Sequence, residues 1–205
     1  MHSFKAEFGD VFAGRKVLVT GAGGFVGGHL CDALLALEAD VYALDLNAEA
    51  LPRFGGQGYV IDLQDFEAVK CTLLQIQPEL IYHLAGLVTA KRDLALVRPM
   101  LLNNLMGTVN LLVTATEVDC TRVIVTGTAE EPTFEANDIV PTSPYAAAKV
   151  SSTLYSQMFY RLYNLPAVVL RPFVTYGPRQ NPTKLIPYCL LYTSDAADEE
   201  DSVDL

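Results

Sequence analysis

Basic residues are scarce in this sequence, and their scarcity limits what the protein can bind. Lysine and arginine together number 14, against 24 aspartate and glutamate residues, so the formal net charge is −10. Proteins that bind nucleic acids usually present a basic face, so this class of function is disfavoured. Six of the acids lie within 192–205, and residues 1–191 therefore carry a net charge of −4. Most of the chain is only mildly acidic.

Cysteine pairs, a signal sequence and long apolar runs are also missing. The four cysteines are far apart and form no C-x-x-C pair, so nothing indicates disulfide bonds and a reducing compartment is favoured. The N-terminus lacks the basic region and apolar core of a signal peptide, and no apolar run reaches the ~20 residues of a membrane helix. We therefore expect a soluble, cytoplasmic protein, and we expect no metal site.

The sequence does contain a regular alternation of short apolar runs and helical patterns. The runs predict six strands, at 16–20, 41–45, 58–61, 79–84, 122–126 and 167–170. The patterns between most of them predict helices at 25–38, 65–76, 94–118 and 143–163, with helix starts at Asp65 and Ser143. Such alternation is typical of a parallel sheet with helices on both faces. Six strands complete a doubly wound α/β Rossmann sheet, which is the fold that we predict.

A glycine-rich segment, GAGGFVG at 21–27, directly follows the first apolar run. Gly21, Gly24 and Gly27 would permit a tight turn, close approach of the backbone to a pyrophosphate, and close packing of helix against strand. The helix that starts with Phe25 and Val26 would point its free N–H groups at the phosphates. An ordinary glycine-rich turn is the alternative, but the strand before and the helix after favour a dinucleotide-binding turn.

A second motif places a phenol and an ammonium on one face of a predicted helix. Tyr145 and Lys149 are four residues apart, which brings their side chains together. A nearby cation favours the phenolate, so we expect a lowered Tyr145 pKa and a usable general acid or base. A solvated surface pair is the usual alternative. The position between the fifth and sixth strands of a Rossmann pattern makes the catalytic interpretation more specific.

With these two motifs, residues 15 to about 188 resemble the extended short-chain dehydrogenase/reductase family, the NAD-dependent sugar-nucleotide epimerases and dehydratases. The glycine spacing G-x-x-G-x-x-G matches that family. Asp45, at the end of the second strand, matches the acid that holds the adenosine ribose hydroxyls. A carboxylate there would repel a 2′-phosphate, so the resemblance implies NAD and not NADP. A loop acid without a ligand is the alternative for Asp45.

The resemblance also implies further cofactor contacts along the chain. It assigns the adenine edge to Asp62 and Leu63, and the nicotinamide ribose region to Asn104 of an N-x-x-G-T helix. The HLAG segment at 83–86 resembles the turn after the fourth strand, in which His83 packs and does not react. In the turn at 83–86, the implied cofactor contacts are Leu84, Ala85 and Gly86. The resemblance also implies contacts from Tyr145 and Lys149, and from Pro172 in the segment RPFVTYGPRQ at 171–180.

The resemblance implies that three residues carry the chemistry: Thr128, Tyr145 and Lys149. The Thr128 hydroxyl would form a hydrogen bond to the reacting oxygen of the substrate, beside the phenol of Tyr145. Sugar-nucleotide dehydratases carry Thr-Asp-Glu where this chain has Thr128, Ala129 and Glu130, so the glutamate is kept and the aspartic acid is lost. An exposed residue that only caps a turn is an equal alternative for Glu130. The family asparagine of the 171–180 segment is also replaced, by Val174, which weakens any inference about how a substrate's phosphates are held.

These matches imply an epimerase-type enzyme that acts on a nucleotide sugar by transient hydride transfer to NAD. A dehydratase or a reductase of the same family, and a fragment that only binds NAD, remain alternatives. In the family, helices that match 94–118 and 143–163 pair with a second subunit in a four-helix bundle, which implies a homodimer. Leu101, Leu105, Leu112, Leu154, Phe159 and Leu162 are apolar enough for such an interface, although packing on the sheet explains many of them equally well.

The C-terminal end does not continue this pattern. We predict a NAD-binding Rossmann domain over 1–188, with most of the substrate lobe missing. The segment at 189–205 has no apolar period and many acids, so we interpret it as a non-native or disordered tail. A natural acidic tail is the alternative.

Overall fold

The computed structural model describes residues 4–89, 91–132 and 140–191. The chain divides into two compact units, with the boundary between Pro172 and Phe173. All six strands lie in the first unit. In the second unit, residues 185–191 are helical. The predicted tail falls outside the described residues from 192 onwards, and the division into a domain over 1–188 and a tail over 189–205 stays a prediction.

The first unit is built around one parallel sheet, which confirms the predicted fold. Its strands lie in the order β3-β2-β1-β4-β5-β6, and every neighbouring pair is parallel. The order reverses beside β1, as it does in a doubly wound Rossmann sheet. The six strands match the six predicted runs to within two residues at each end: β1 Lys16–Thr20, β2 Asp40–Asp45, β3 Gly58–Val60, β4 Leu80–His83, β5 Arg122–Thr126 and β6 Ala167–Leu170.

Helices connect the strands where the helical patterns predict them, and one short helix that the patterns do not predict, α1 Phe4–Phe8, precedes β1. The connecting helices are α2 Phe25–Ala36, α3 Phe66–Ile76, α4 Val97–Met100, α5 Gly107–Ala115 and α6 Pro144–Tyr163. Both predicted helix starts are confirmed, because Asp65 accepts the Ala68 N–H and Ser143 accepts the Ala146 N–H, each at 3.0 Å. These bonds satisfy N–H groups that have no partner within the helix.

The predicted helix at 94–118 is not continuous. A 3₁₀ turn at Leu94–Leu96 precedes α4, and a π-helical segment at Leu101–Met106 separates α4 from α5. Such π segments often occur at functional sites, because they redirect side chains within a helix. Here the π segment contains Asn104, one of the predicted site residues.

Successive residues of each strand point to opposite faces of the sheet and form two apolar cores. On one face, Leu18 and Ile81 pack with α3, α5 and α6. On the other, Val17 and Val19 pack against α2. Leu112 and Phe159 belong to the first core, so packing on the sheet accounts for these two predicted interface residues. Within the described residues, none of the helices combines the length and apolarity needed to cross a membrane.

Candidate functional site

A cavity of about 320 Å³ opens at the carboxyl ends of the central strands. This edge, where the strand order reverses, is where doubly wound sheets bind their ligands. The cavity is lined by residues that follow four neighbouring strands: Thr20, Gly21, Gly23, Gly24, Leu44, Asp45, Leu46, Ile61, Asp62, Leu63, Gln64, Leu84, Ala85, Gly86, Leu87 and, from the π segment, Asn103. Eight of the predicted cofactor contacts are therefore brought together here.

The glycine-rich turn lies against the end of β4 with no room for side chains. Gly21 has a φ of 71°, and a Cβ on it would lie 2.7 Å from the backbone nitrogen of Ala85. A Cβ on Gly27 would overlap the carbonyl oxygen of Gly21. Both positions therefore require glycine, which is what the sequence motif predicts.

The first turn of α2 holds the rest of the predicted phosphate contacts. Gly24 precedes α2, and Phe25, Val26 and Gly27 form its first turn. The ring of Phe25 packs edge-on against His29 at 5.4 Å between centroids, and the Val26 side chain is exposed. These three residues do not line the cavity; they belong to the helix whose N-terminus carries the positive end of its dipole.

Asp45 closes the β2 side of the cavity. Its Oδ2 accepts the N–H of Gly23 at 2.8 Å, and its Oδ1 accepts the N–H of Asn47 at 2.9 Å. The carboxylate is thereby fixed against the glycine turn, and each oxygen keeps lone-pair capacity for another donor. Asp62, after β3, is exposed and accepts the Gln64 N–H at 2.9 Å, while the neighbouring Leu63 is buried.

This lining suits a dinucleotide. The glycine-rich turn leaves space in which a pyrophosphate could bind, and the carboxylate of Asp45 at one end of the cavity could accept hydrogen bonds from ribose hydroxyls. Among the described residues, His, Cys, Asp and Glu side chains form no group of three or more that could hold a metal ion.

Asn104 does not line the cavity, but it hydrogen-bonds to the loop after β4, which does. Its Nδ2 donates to the carbonyl of Leu87 at 2.8 Å, and its Oδ1 accepts the Leu87 N–H at 2.7 Å. These two bonds fix the loop after β4, which includes Gly86. The neighbouring Asn103 is the one that lines the cavity.

Thr128, Tyr145 and Lys149 come together next to this loop. Thr128 and Tyr145 are each 8% exposed and interact by a hydrogen bond, and Lys149 is 5% exposed. The Lys149 Nζ donates to the carbonyl of Thr126 at 2.8 Å. It also lies 3.8 Å from the position that a Cβ on Gly86 would occupy. Lys149 is therefore adjacent to the cavity edge at Gly86, and Tyr145 lies one turn earlier on the same helix, hydrogen-bonded to Thr128.

The predicted lowering of the Tyr145 pKa is wrong. Burial raises the pKa of this phenol above its ordinary value of 10.0, and hydrogen bonding to Thr128 only partly opposes that effect. The charges of Glu130 and Glu131 raise the Tyr145 pKa further. Sequence spacing places a cation on the same helix face, but the burial of the phenol and its two acidic neighbours depends on the tertiary structure.

Burial acts on Lys149 in the opposite sense. It lowers the pKa of the ammonium from 10.5 to about 8, and the charge of Glu131 opposes the shift. His83 is fully buried, and burial, together with the Lys149 charge, lowers its pKa to about 3. His83 is therefore neutral, which agrees with its predicted packing role.

The two neighbouring glutamates have different places in the structure. Glu130, the one considered from sequence, is exposed, and its N–H lies 3.3 Å from the Thr128 hydroxyl oxygen. Glu131, which sequence reasoning passed over, is buried with an ion pair to Arg171. Because Glu130 and Glu131 are adjacent and identical, the sequence alone does not indicate which of them is buried and which is exposed. Pro172, another predicted contact, is exposed.

Residues 17–198 match the NAD dependent epimerase/dehydratase family, and the chain belongs to this family. The UDP-glucose 4-epimerase of Mycolicibacterium smegmatis is 33% identical over 184 residues, which cover 82% of this chain and 58% of that protein. A dTDP-glucose 4,6-dehydratase of Actinoplanes sp. is 26% identical over 204 residues, which cover 89% of this chain and 64% of that protein.

A similar solved structure is the UDP-glucose 4-epimerase of Thermus thermophilus in complex with NAD. It has a TM-score of 0.73 and 29% identity, and the match covers 86% of this chain and 60% of that one. The predicted family and its cofactor, NAD, are confirmed. The chain spans roughly 60% of the length of these relatives, which include both epimerases and dehydratases.

Proposed function

We propose that this chain is the NAD-binding part of an enzyme that epimerises a nucleotide sugar by transient hydride transfer. The observation that carries the proposal is the hydrogen-bonded pair of Thr128 and Tyr145 together with Lys149 on the same helix, whose ammonium lies beside Gly86 at the edge of the cavity. A buried phenol, a hydroxyl and an ammonium next to a cofactor cavity can move a proton while hydride moves. The names of the relatives support a nucleotide sugar as substrate.

Each residue of the cluster has a role in this proposal. When bound, NAD accepts the hydride from a sugar carbon and later returns it. Tyr145, once ionised, takes the proton of the sugar hydroxyl at that carbon and later returns it to the ketone oxygen; the Lys149 ammonium and the positive nicotinamide of bound NAD would favour that ionised form. Thr128 donates a hydrogen bond that orients this oxygen. Lys149 has three N–H donors, so its bond to Thr126 is compatible with a further bond to the nicotinamide ribose.

Asp45 supports NAD over NADP in the proposal. Its two oxygens are held by backbone N–H groups at one end of the cavity, where they would accept bonds from the adenosine ribose hydroxyls. A 2′-phosphate at the same place would meet a negative charge.

A dehydratase of the same family is the second candidate. The acid that accompanies the glutamate in dehydratases is Ala129 here, and Glu130 is exposed. These two features favour the epimerase. A reductase would release altered cofactor, and stoichiometric consumption of NADH with a ketosugar substrate would distinguish it from an epimerase, which recycles NAD internally.

We also propose that the protein forms a homodimer through the helices at 97–115 and 144–163. Leu101, Leu154 and Leu162 are 48%, 46% and 66% exposed on these helices. Exposed leucines on neighbouring helices are expected where a second subunit packs. Leu105 is half-buried, and it could contribute to the same surface.

The variant Tyr145→Phe tests the proposed chemistry. Calorimetry measures NAD binding, and conversion of UDP-glucose to its 4-epimer measures turnover. We expect NAD binding to persist in Tyr145→Phe and turnover to be abolished, because Phe keeps the ring and removes the proton carrier. Tyr160→Phe, an exposed position on the same helix, is the matched control.

Three other outcomes have separate meanings. Turnover retained in Tyr145→Phe would reject the assigned base. NAD binding without turnover of UDP-glucose or dTDP-glucose by the wild-type chain would favour the alternative of a NAD-binding fragment. Failure of the wild-type chain to bind NAD would overturn the proposal as a whole.

A further inference from the structure

Glu131 lies at a junction of three parts of the fold. Its carboxylate is fully enclosed. Oε1 accepts the backbone N–H of Thr128 at 2.8 Å, and Oε2 accepts the hydroxyl of Thr153 on α6 at 2.8 Å. The Arg171 guanidinium, just after β6, lies 2.8 Å from the same Oε2. The loop after β5, helix α6 and the end of β6 therefore meet on one side chain.

A buried carboxylate is costly unless charge and hydrogen bonds compensate it. Glu131 has both kinds of compensation, since Arg171 supplies a cation and two further groups donate hydrogen bonds. A Cβ on Gly127 would lie too close to Oε1 unless the Glu131 side chain moved, so the loop packs closely on this carboxylate at Gly127.

We propose that Glu131 is a positioning residue of the candidate site, which fixes Thr128 beside Tyr145 and adds a negative charge, shared with Arg171, that favours the buried Lys149 ammonium. This inference deepens the proposed function and rests on it for its catalytic meaning. The bond to the Thr128 N–H holds the residue whose hydroxyl faces the phenol. The bond to Thr153 places the carboxylate against α6, the helix that carries both Tyr145 and Lys149.

The electrostatic part of the role concerns the groups around Lys149. Among the described residues these are Glu131 and His83 of β4, which is neutral above a pKa of about 3. Tyr145 lies one turn earlier on the same helix, and Arg171 is paired with Glu131. Burial lowers the Lys149 pKa to about 8, and the Glu131 charge opposes that shift. The anion thus helps to keep the ammonium charged near neutral pH.

The first test measures the titration of Lys149 in the chain without cofactor or substrate, by NMR of its labelled side chain. Glu131→Gln keeps the shape and removes the charge, so we expect the Lys149 midpoint to fall by about one pH unit. Glu130→Gln removes the neighbouring exposed charge and should leave the midpoint unchanged. Equal midpoints in the wild type and Glu131→Gln would overturn the electrostatic role.

The second test needs no variant and measures hydrogen exchange of the wild-type Thr128 amide. An N–H that donates to an enclosed carboxylate should exchange at least about tenfold more slowly than that of the exposed Ala129. Equal rates would overturn the positioning role, even if Glu131→Gln fails to fold. Neither test requires turnover or bound NAD, so their failure is distinct from failure of the proposed function.

Discussion

The imidazole Nε2 of His83 lies 2.8 Å from the hydroxyl oxygen of Thr108, inside the fold. The Thr108 hydroxyl donates its one proton to the carbonyl of Asn104 at 2.6 Å, so it accepts from His83. His83 therefore carries its proton on Nε2, and its Nδ1 accepts from the Thr20 hydroxyl at 2.8 Å. Thr20 in turn accepts the N–H of Ala85 at 3.2 Å. One directed chain of hydrogen bonds joins the cavity loop to the π segment.

The buried neutral state of His83 predicts a loss of stability in acid. The folded-state pKa is about 3, below the ~6.5 of an exposed histidine. Below about pH 6.5 the unfolded chain binds this proton and the folded chain does not. As the pH is lowered below about 6.5, the contribution of this residue to the free energy of unfolding should therefore decrease by up to about 1.4 kcal/mol per pH unit, until the pH approaches 3.

Urea unfolding at about pH 7 and pH 5 measures this contribution. Glutamine titrates at neither pH and can both donate and accept, so His83→Gln should lose about 2 kcal/mol less than the wild type over the same interval. An identical loss in both proteins would mean that His83 does not account for the acid sensitivity.

Gly27 and Gly28 provide a matched pair of positions for testing the glycine turn. A Cβ on Gly27 would overlap the Gly21 carbonyl, whereas a Cβ on Gly28 would meet its nearest atom, Nη2 of Arg53, at 3.6 Å. Gly27→Ala should therefore destabilise the fold by about 1–3 kcal/mol. It should also weaken NAD binding at least about tenfold, because the turn must open.

Gly28→Ala is the control, and it should gain about 0.5–1 kcal/mol, because alanine favours a helix interior. Urea unfolding and calorimetric titration with NAD measure both effects. Equal stability and equal NAD affinity in Gly27→Ala and Gly28→Ala would show that close packing of the glycine turn on α2 does not require glycine at position 27.

The strands and the glycine turn could be predicted because their signals are local. The runs at 16–20 and 122–126 are apolar and flanked by turns or helical patterns, and these local features are enough to predict that each forms a strand. Gly21 and Gly27 were predictable for a similar reason, since a tight turn between strand and helix leaves no space for a side chain.

Features that depend on distant parts of the chain could not be predicted. The pattern at 94–118 shows helical periodicity but not the π segment, which accompanies the bonds between Asn104 and Leu87. The spacing of Tyr145 and Lys149 shows a shared helix face but not how deeply each is buried, and burial determines both pKa shifts. The buried role of Glu131 depends on Arg171, which is 40 positions away in the sequence.

Asp45 is predicted to control the choice between NAD and NADP. Asp45→Asn keeps an oxygen for the backbone N–H groups of Gly23 or Asn47 and removes the negative charge. We expect NAD affinity to fall roughly tenfold and NADP affinity to rise, because the repulsion of a 2′-phosphate is lost. Calorimetric titration with both cofactors gives the ratio of affinities.

Asp62→Asn is the control for this change, since Asp62 also lines the cavity but follows β3, and the family resemblance predicts that it contacts the adenine and not the ribose. Any weakening that it causes should be the same for both cofactors and leave their ratio unchanged. A ratio that stays constant in Asp45→Asn would remove the basis for assigning the ribose hydroxyls to this residue.

The exposed leucines of the two long helical segments predict a dimer that a single charge can dissociate. Leu154 is 46% exposed on α6, and a glutamate there would have to be desolvated in a helix-to-helix interface, which costs more than the contact gains. We expect sedimentation to show a dimer for the wild type and a monomer for Leu154→Glu, with the helical content of both unchanged. Leu35→Glu, at a leucine that is 45% exposed on α2, should remain a dimer. If the wild type sediments as a monomer, or if Leu35→Glu dissociates as readily as Leu154→Glu, the face that includes Leu101 and Leu154 is not the interface.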